Sequence, residues 1–202
     1  MHTIYPETFI KAHCPTHLDK SKLPTPKDIV KKTTQEFGVG IFAVRAFKRG
    51  EVIGSFVAEE TDQLLQHSLQ RAPNDNLHDP YFIGMLLHSC DPNVVLDMHD
   101  QKVFCVRDIE VGEPLFMDYA STEDVLFNQF ACMCGSSNCR HWVTGRAELV
   151  SADGLAYIHN MTHSNVIAIE THEDFVHADE LEEVAVYGPA QLKQNVFDAR
   201  HN

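Results

Sequence analysis

Cys132-Met133-Cys134-Gly135-Ser136-Ser137-Asn138-Cys139 constrains this 202-residue chain more than any other stretch. Three thiols in C-x-C-x4-C spacing are too close and too tightly turned for ordinary core cysteines. Such a triad suits a tetrahedral Zn²⁺ and leaves one coordination position for a ligand from elsewhere. Cys90 is the natural fourth ligand, because Ser89-Cys90-Asp91-Pro92-Asn93 is turn-forming and can present a side chain from a loop. Four thiolates make a closed structural site with no open position for a catalytic water. Metal binding there ties the Cys90 loop to the segment after Asp118-Tyr119 and contributes folding energy.

Thiols in metal spacing imply a reducing compartment, which points to the cytoplasm or nucleus. Cys14 and Cys105 are expected to be free, the second buried on a strand. The N-terminus lacks a basic region followed by an apolar stretch, so no secretory signal is expected. No apolar run approaches the ~20 residues that span a bilayer. A net charge of -13 argues against binding a phosphate backbone. It is compatible with a basic peptide partner through electrostatic steering, and equally with mere solubility.

Along the chain, residues 1–27 carry Pro6, Pro15, Pro24 and Pro26 and read as an extended N-terminal arm along the domain edge. Residues 29–35, rich in Thr, predict a first strand. Gly38-Val39-Gly40 then interrupts the β pattern, as glycines do where main chain is approached closely. Val52 to Val57 predicts a further strand. Leu64, Leu65 and Leu69 predict a short amphipathic helix within residues 61–69, and residues 71–80 read as polar and turn-rich. Val94-Val95-Leu96 and Val103-Phe104-Cys105-Val106 predict a hairpin. Leu115 to Tyr119 reads as a short strand. In the acidic tail, residues 165–169 read as a strand and 178–185 as a helix.

Taken in order, Gly38-Val39-Gly40-Ile41-Phe42-Ala43, His88-Ser89-Cys90-Asp91-Pro92-Asn93, the run from Asp108 to Asp118-Tyr119, and the cysteine triad resemble a SET domain with a zinc-binding post-SET segment. The third run matches the family pattern I-x-x-G-E-x-L-x-x-D-Y closely. The resemblance implies a mainly β fold with few helices, short antiparallel sheets and a pseudoknot-like core. It divides the chain into an arm (1–27), a SET domain (28–120), a post-SET zinc segment (121–145) and an acidic accessory region (146–202). It further implies transfer of a methyl group from S-adenosylmethionine to a lysine amine of a protein or peptide. Tyr119 stands at the family's methyl-transfer centre, and Gly38, Val39, Gly40, Leu87 and His88 occupy its donor-binding positions. Two positions depart from the family. Leu87 stands where Asn usually precedes His-Ser, and Gly84 stands where many members carry Arg. Leucine cannot hydrogen-bond, and losing one such bond to a charged group weakens binding roughly ten- to hundredfold. A second class therefore stays open: a SET-like protein whose pocket serves a small molecule or a partner.

Overall fold

The computed structural model describes residues 2–173 and builds a mainly β molecule from small sheets. The strands are β1 (Ile29–Thr34), β2 (Gly38–Ala43), β3 (Val52–Ser55), β4 (Glu59–Thr61), β5 (Ser68–Ala72), β6 (Asp75–His78), β7 (Leu87–His88), β8 (Val94–Asp97), β9 (Lys102–Cys105), β10 (Phe116–Met117), β11 (Phe130–Ala131) and β12 (Trp142–Val143). Two α-helices, α1 (Glu7–His13) and α2 (Ala152–Glu173), accompany three short 3₁₀ turns. The sheets are β1-β2, β3-β9-β8, β4-β6-β5, β10-β7 and β11-β12. All pairings are antiparallel except β7 with β10.

That parallel pair sits at the centre of the fold. Residues 112–117 run between β2 and the segment that begins at Leu87. On one side Leu115 N–H donates to Ile41 (2.8 Å) and Gly112 N–H to the Ala43 carbonyl (2.8 Å). On the other, Leu87 N–H donates to Leu115 (3.1 Å) and Ser89 N–H to Met117 (3.0 Å). Fully buried Asn93 locks the crossing: its amide donates to the Pro114 carbonyl (2.9 Å) and its Oδ1 accepts from Phe116 N–H (2.7 Å). This is the pseudoknot-like arrangement expected from the resemblance.

The main core gathers side chains from eight of the twelve strands and from the segments between them, among them Phe47, Phe56, Phe82, Ile29, Leu77 and Leu115. The expected strand at residues 29–35 and the hairpin of β8 and β9 are present, and Cys105 is buried on β9. Several expectations are corrected. The N-terminal arm is not simply extended: residues 7–13 are helical, and Tyr5 is buried in the core with Leu18 and Leu23. Tyr5 donates its hydroxyl to Asp79 at 2.7 Å. Gly38-Val39-Gly40 does not interrupt the sheet; it begins β2, and the turn falls one step earlier, where Thr34 Oγ1 accepts from Phe37 N–H (3.0 Å). No helix forms at residues 61–69. His67 takes a left-handed φ of 70° and Ser68 Oγ closes a turn back onto Leu65, which ends any helix there. Residues 68–78 pair as β5 and β6 instead of remaining irregular. The strand expected from Leu115 to Tyr119 is confined to β10, and Tyr119 opens a 3₁₀ turn. Residues 165–169 lie in α2 rather than in a strand. The helix expected at 178–185 falls outside the described residues. No helix among the described residues is long and apolar enough to cross a membrane.

Candidate active site and cysteine cluster

The fold brings the four cysteines together. Cys90 leaves the central crossing, Cys132 follows β11, and Cys134 and Cys139 flank a turn before β12. Their sulfur atoms all lie within 4.8 Å of one another, and Cys90 Sγ is 3.7 Å from Cys132 Sγ. Tetrahedral zinc–thiolate bonds of ~2.3 Å require sulfurs about 3.8 Å apart, so the cluster fits a metal ion of that kind. Donors already point at the sulfurs: Arg140 N–H at Cys90 (3.3 Å), His141 N–H at Cys139 (3.4 Å), and the Ser136 hydroxyl beside Cys134 (3.2 Å). Burial works against the Cys134 thiolate, yet the Ser136 hydroxyl and neighbouring backbone N–H groups outweigh it and bring the thiol down to about 6. Cys132, deeper and dominated by burial, is pushed up.

His88 joins the cluster to the centre of the fold. Its ring is buried and receives Tyr119 N–H on Nδ1 (3.3 Å), which puts its own proton on Nε2, 3.6 Å from Cys90 Sγ. The same ring packs edge-on against Tyr119 and Phe130, with centroids 5.1 and 5.9 Å away. Arg140 makes a second link, because its guanidinium pairs with Asp118 while its backbone N–H faces Cys90.

Two cavities meet at this aromatic group. The first, about 410 Å³, is lined by Leu87, His88, Ser89, Asp91, Arg107 and Phe116, and on its far side by residues 130–136 of the cysteine segment. The second, about 480 Å³, is lined by Val39, residues 65–69 and 83–86, Met117, Tyr119, Glu123 and residues 126–130. Phe37 and Phe130 border both. Tyr119 donates its hydroxyl to the Leu86 carbonyl at 2.8 Å, which holds the ring at the wall of the second cavity.

The sequence-predicted donor residues are divided by the structure. Leu87 and His88 border the first cavity, Val39 borders the second, and Gly38 and Gly40 border neither. Gly40 has another task. A Cβ there would lie 2.7 Å from Leu87 Cδ1, so the buried leucine occupies the space that the glycine leaves. Gly84 is similarly confined, since a Cβ would come within 2.4 Å of the His67 and Asp79 carbonyls. The larger residue common in the family therefore has no room at this position.

Sequence reasoning missed Phe37, Phe130, Arg140 and Glu123. Phe130, two residues before Cys132, could have been noticed as an aromatic beside the triad; Glu123 carries no motif. Asp79 was missed too. It is fully buried, accepts from Tyr81, Phe82 and Ile83 N–H groups and from the Tyr5 hydroxyl, and burial lifts it to about 6.

Comparison with known proteins agrees with the architecture. Residues 38–120 match the family model for the SET domain, so the chain carries a SET domain over that span. The methyltransferase flvH of Aspergillus flavus is 33% identical over 84 residues, covering 41% of this chain and 47% of that protein. The histone-lysine N-methyltransferase ASHR3 of Arabidopsis thaliana is 27% identical over 158 residues, covering 64% and 31%. A variant-silencing SET domain-containing protein of Plasmodium falciparum is 28% identical over 144 residues, covering 57% and 6%. The chain thus spans less than half the length of each of these curated relatives.

Proposed function

We propose that the chain transfers a methyl group from S-adenosylmethionine to a lysine amine of a protein or peptide, with Zn²⁺ held by Cys90, Cys132, Cys134 and Cys139. The supporting observation is the meeting of two cavities at Phe37 and Phe130, with His88 on one and Tyr119 on the other. Relatives named as methyltransferases point the same way. In this reading the first cavity receives the donor and the second the amine.

The donor, when bound, supplies an electrophilic methyl on a sulfonium sulfur. The chain's residues supply position. Leu87 and Ser89 spend their N–H groups on the Leu115 and Met117 carbonyls, so the main-chain N–H of His88 between them faces away from that ladder. Phe37 and Phe116, packed edge to face at 5.6 Å, offer apolar surface, beside Arg107, whose guanidinium is ion-paired with Glu113 at 2.6 Å. Tyr119, fixed through Leu86, aligns the amine. Transfer to a neutral amine in a single displacement gains mostly from orientation and from excluding water. The cysteine segment forms one wall of the donor cavity, so the metal has a structural role with a direct effect on the site.

Leu87 favours a second reading, in which the same pocket takes a small molecule or partner without methyl transfer. Its side chain brings apolar surface to the first cavity where a hydrogen-bonding group is usual, and it is seated on Gly40.

Calorimetric titration of S-adenosylmethionine into the native chain and into Leu87→Asn, followed by methylation of a lysine-peptide library, decides between them. Weak binding by the native chain and tighter binding by Leu87→Asn are expected. Tyr119→Phe should stay folded and lose methylation mainly in kcat. Failure of both native chain and Leu87→Asn to bind the donor removes the methyltransferase reading.

A further inference from the structure

Glu123 is a buried acid that the chemistry above does not use. It lies four residues after Tyr119, its backbone N–H donating to the Tyr119 carbonyl (3.0 Å) and its carbonyl accepting from Arg146 (2.8 Å). The residue is only 7% exposed and borders the second cavity. Among the described residues its carboxyl has no hydrogen-bond or ion-pair partner. Its oxygens are not fully enclosed, since the fully enclosed side-chain atom without a hydrogen-bond partner among the described residues is His78 Nδ1; the carboxyl keeps some access to open space while losing most of its hydration.

The surrounding charges supply no compensation. Arg146 turns its guanidinium to Asp124 (2.7 Å). Of the cavity's other titratable groups, Lys31 donates to the Pro80 carbonyl (3.3 Å), His67 Nδ1 meets the Gly84 carbonyl (2.9 Å), and Tyr119 donates to Leu86. Glu148, on the segment packed behind, is another acid, and its Oε2 accepts from Gly145 N–H (2.7 Å). Burial, reinforced by Glu148, raises Glu123 to about 8.

We infer that Glu123 is the counter-charge for a cationic amine entering the second cavity, and therefore a residue that determines the class of ligand this cavity accepts. The inference rests on reading that cavity as the amine's. An alkylammonium group entering among Phe127, Phe130 and Tyr119 loses water and needs one anionic acceptor. Glu123 supplies it, and the amine in turn holds the carboxyl ionised until the ammonium gives up its proton, as it must before methyl transfer. A neutral ligand of the same shape gains neither effect.

Ligand-observed NMR with n-butylamine, and with n-butanol as its neutral isostere, tests this without methyl transfer. At pH 9 butylamine should bind the native chain about tenfold tighter than butanol or better, and Glu123→Gln should remove the difference. Butylamine binding should weaken about tenfold for each pH unit below about 8, as the carboxyl takes up its proton. Glutamine is near-isosteric and uncharged, so the variant should fold; the amine–alcohol comparison on the native chain is independent of it. Equal binding of amine and alcohol, absence of amine binding, or an unchanged difference in Glu123→Gln overturns the inference. Butylamine selectivity without methylation of any peptide removes the methyltransferase reading and keeps this one. Lysine-peptide methylation with unchanged KM in Glu123→Gln does the reverse.

Discussion

Two apolar clusters hold the described residues, and they are unequal. The main one buries 22 residues contributed by sheets on all sides. The other buries four, Cys90, Leu126, Cys132 and Val143, and two of those are proposed metal ligands. At roughly 1.5–3 kcal/mol for each buried aliphatic side chain, the larger cluster contributes many times the stabilisation that Leu126 and Val143 give residues 121–150. The difference teaches that the first region is held by packing and the second needs a cross-link, which the thiol geometry fits.

Removing the metal breaks the comparison most severely. Chelation or Cys134→Ser should disorder residues 121–150 while the main sheets persist, with a loss on the order of 10 kcal/mol for the metal-bound segment. Metal analysis should find about one Zn²⁺ per chain, and metal removal should open that segment to proteases while the main sheets stay resistant. A metal-free chain with an unchanged melting curve ends the idea. Phe82→Ala should cost the main core about 3–5 kcal/mol in denaturant unfolding without loosening metal binding. Joint loss of both would show that the clusters are a single unit.

Leu87→Asn acts where the two regions share a cavity. It should cost about 2–4 kcal/mol of stability, because a buried side chain seated on Gly40 is lost. The same change should tighten donor binding by up to ~3 kcal/mol. The smallest effect concerns Glu123. Its folded pKa of about 8 exceeds that of an unfolded glutamate, ~4.3. The folded chain therefore holds the proton longer, and stability falls as pH rises from about 4 through about 8. Glu123→Gln should flatten that slope by roughly 1 kcal/mol per pH unit, read from melting curves between pH 5 and 9.

Much of this was readable in the residues, for physical reasons that differ by region. β1 and β8 are rich in β-branched residues, β9 carries Val103 and Phe104, and all three are bounded by turns, so local pattern and final structure agree. The cysteine cluster was readable because metal geometry demands a spacing. Residues 61–69 misled because helical spacing at Leu64, Leu65 and Leu69 outweighed the turn chemistry of His67 and Ser68. The apolar run at 165–169 resembles a strand, but lies in a 22-residue helix. Leu87 was visible as a departure from the family, but not its seat on Gly40, which needs three dimensions. Glu123 was invisible because its importance comes from what fails to surround it.

The passage of residues 112–117 between β2 and β7 sets an order of events for a chain made from its N-terminus. Domains begin to assemble during synthesis, at about 5–20 residues per second. Until Leu115 and Met117 have emerged, the Ile41 carbonyl and the Leu87 and Ser89 N–H groups lack their eventual partners, and the Asn93 amide has nothing to lock. A nascent chain stopped short of Phe116 therefore presents an open sheet and bare apolar surface, however much of the core sequence precedes the stop. Completion waits for one short strand, and the cysteines can close only after it has passed through.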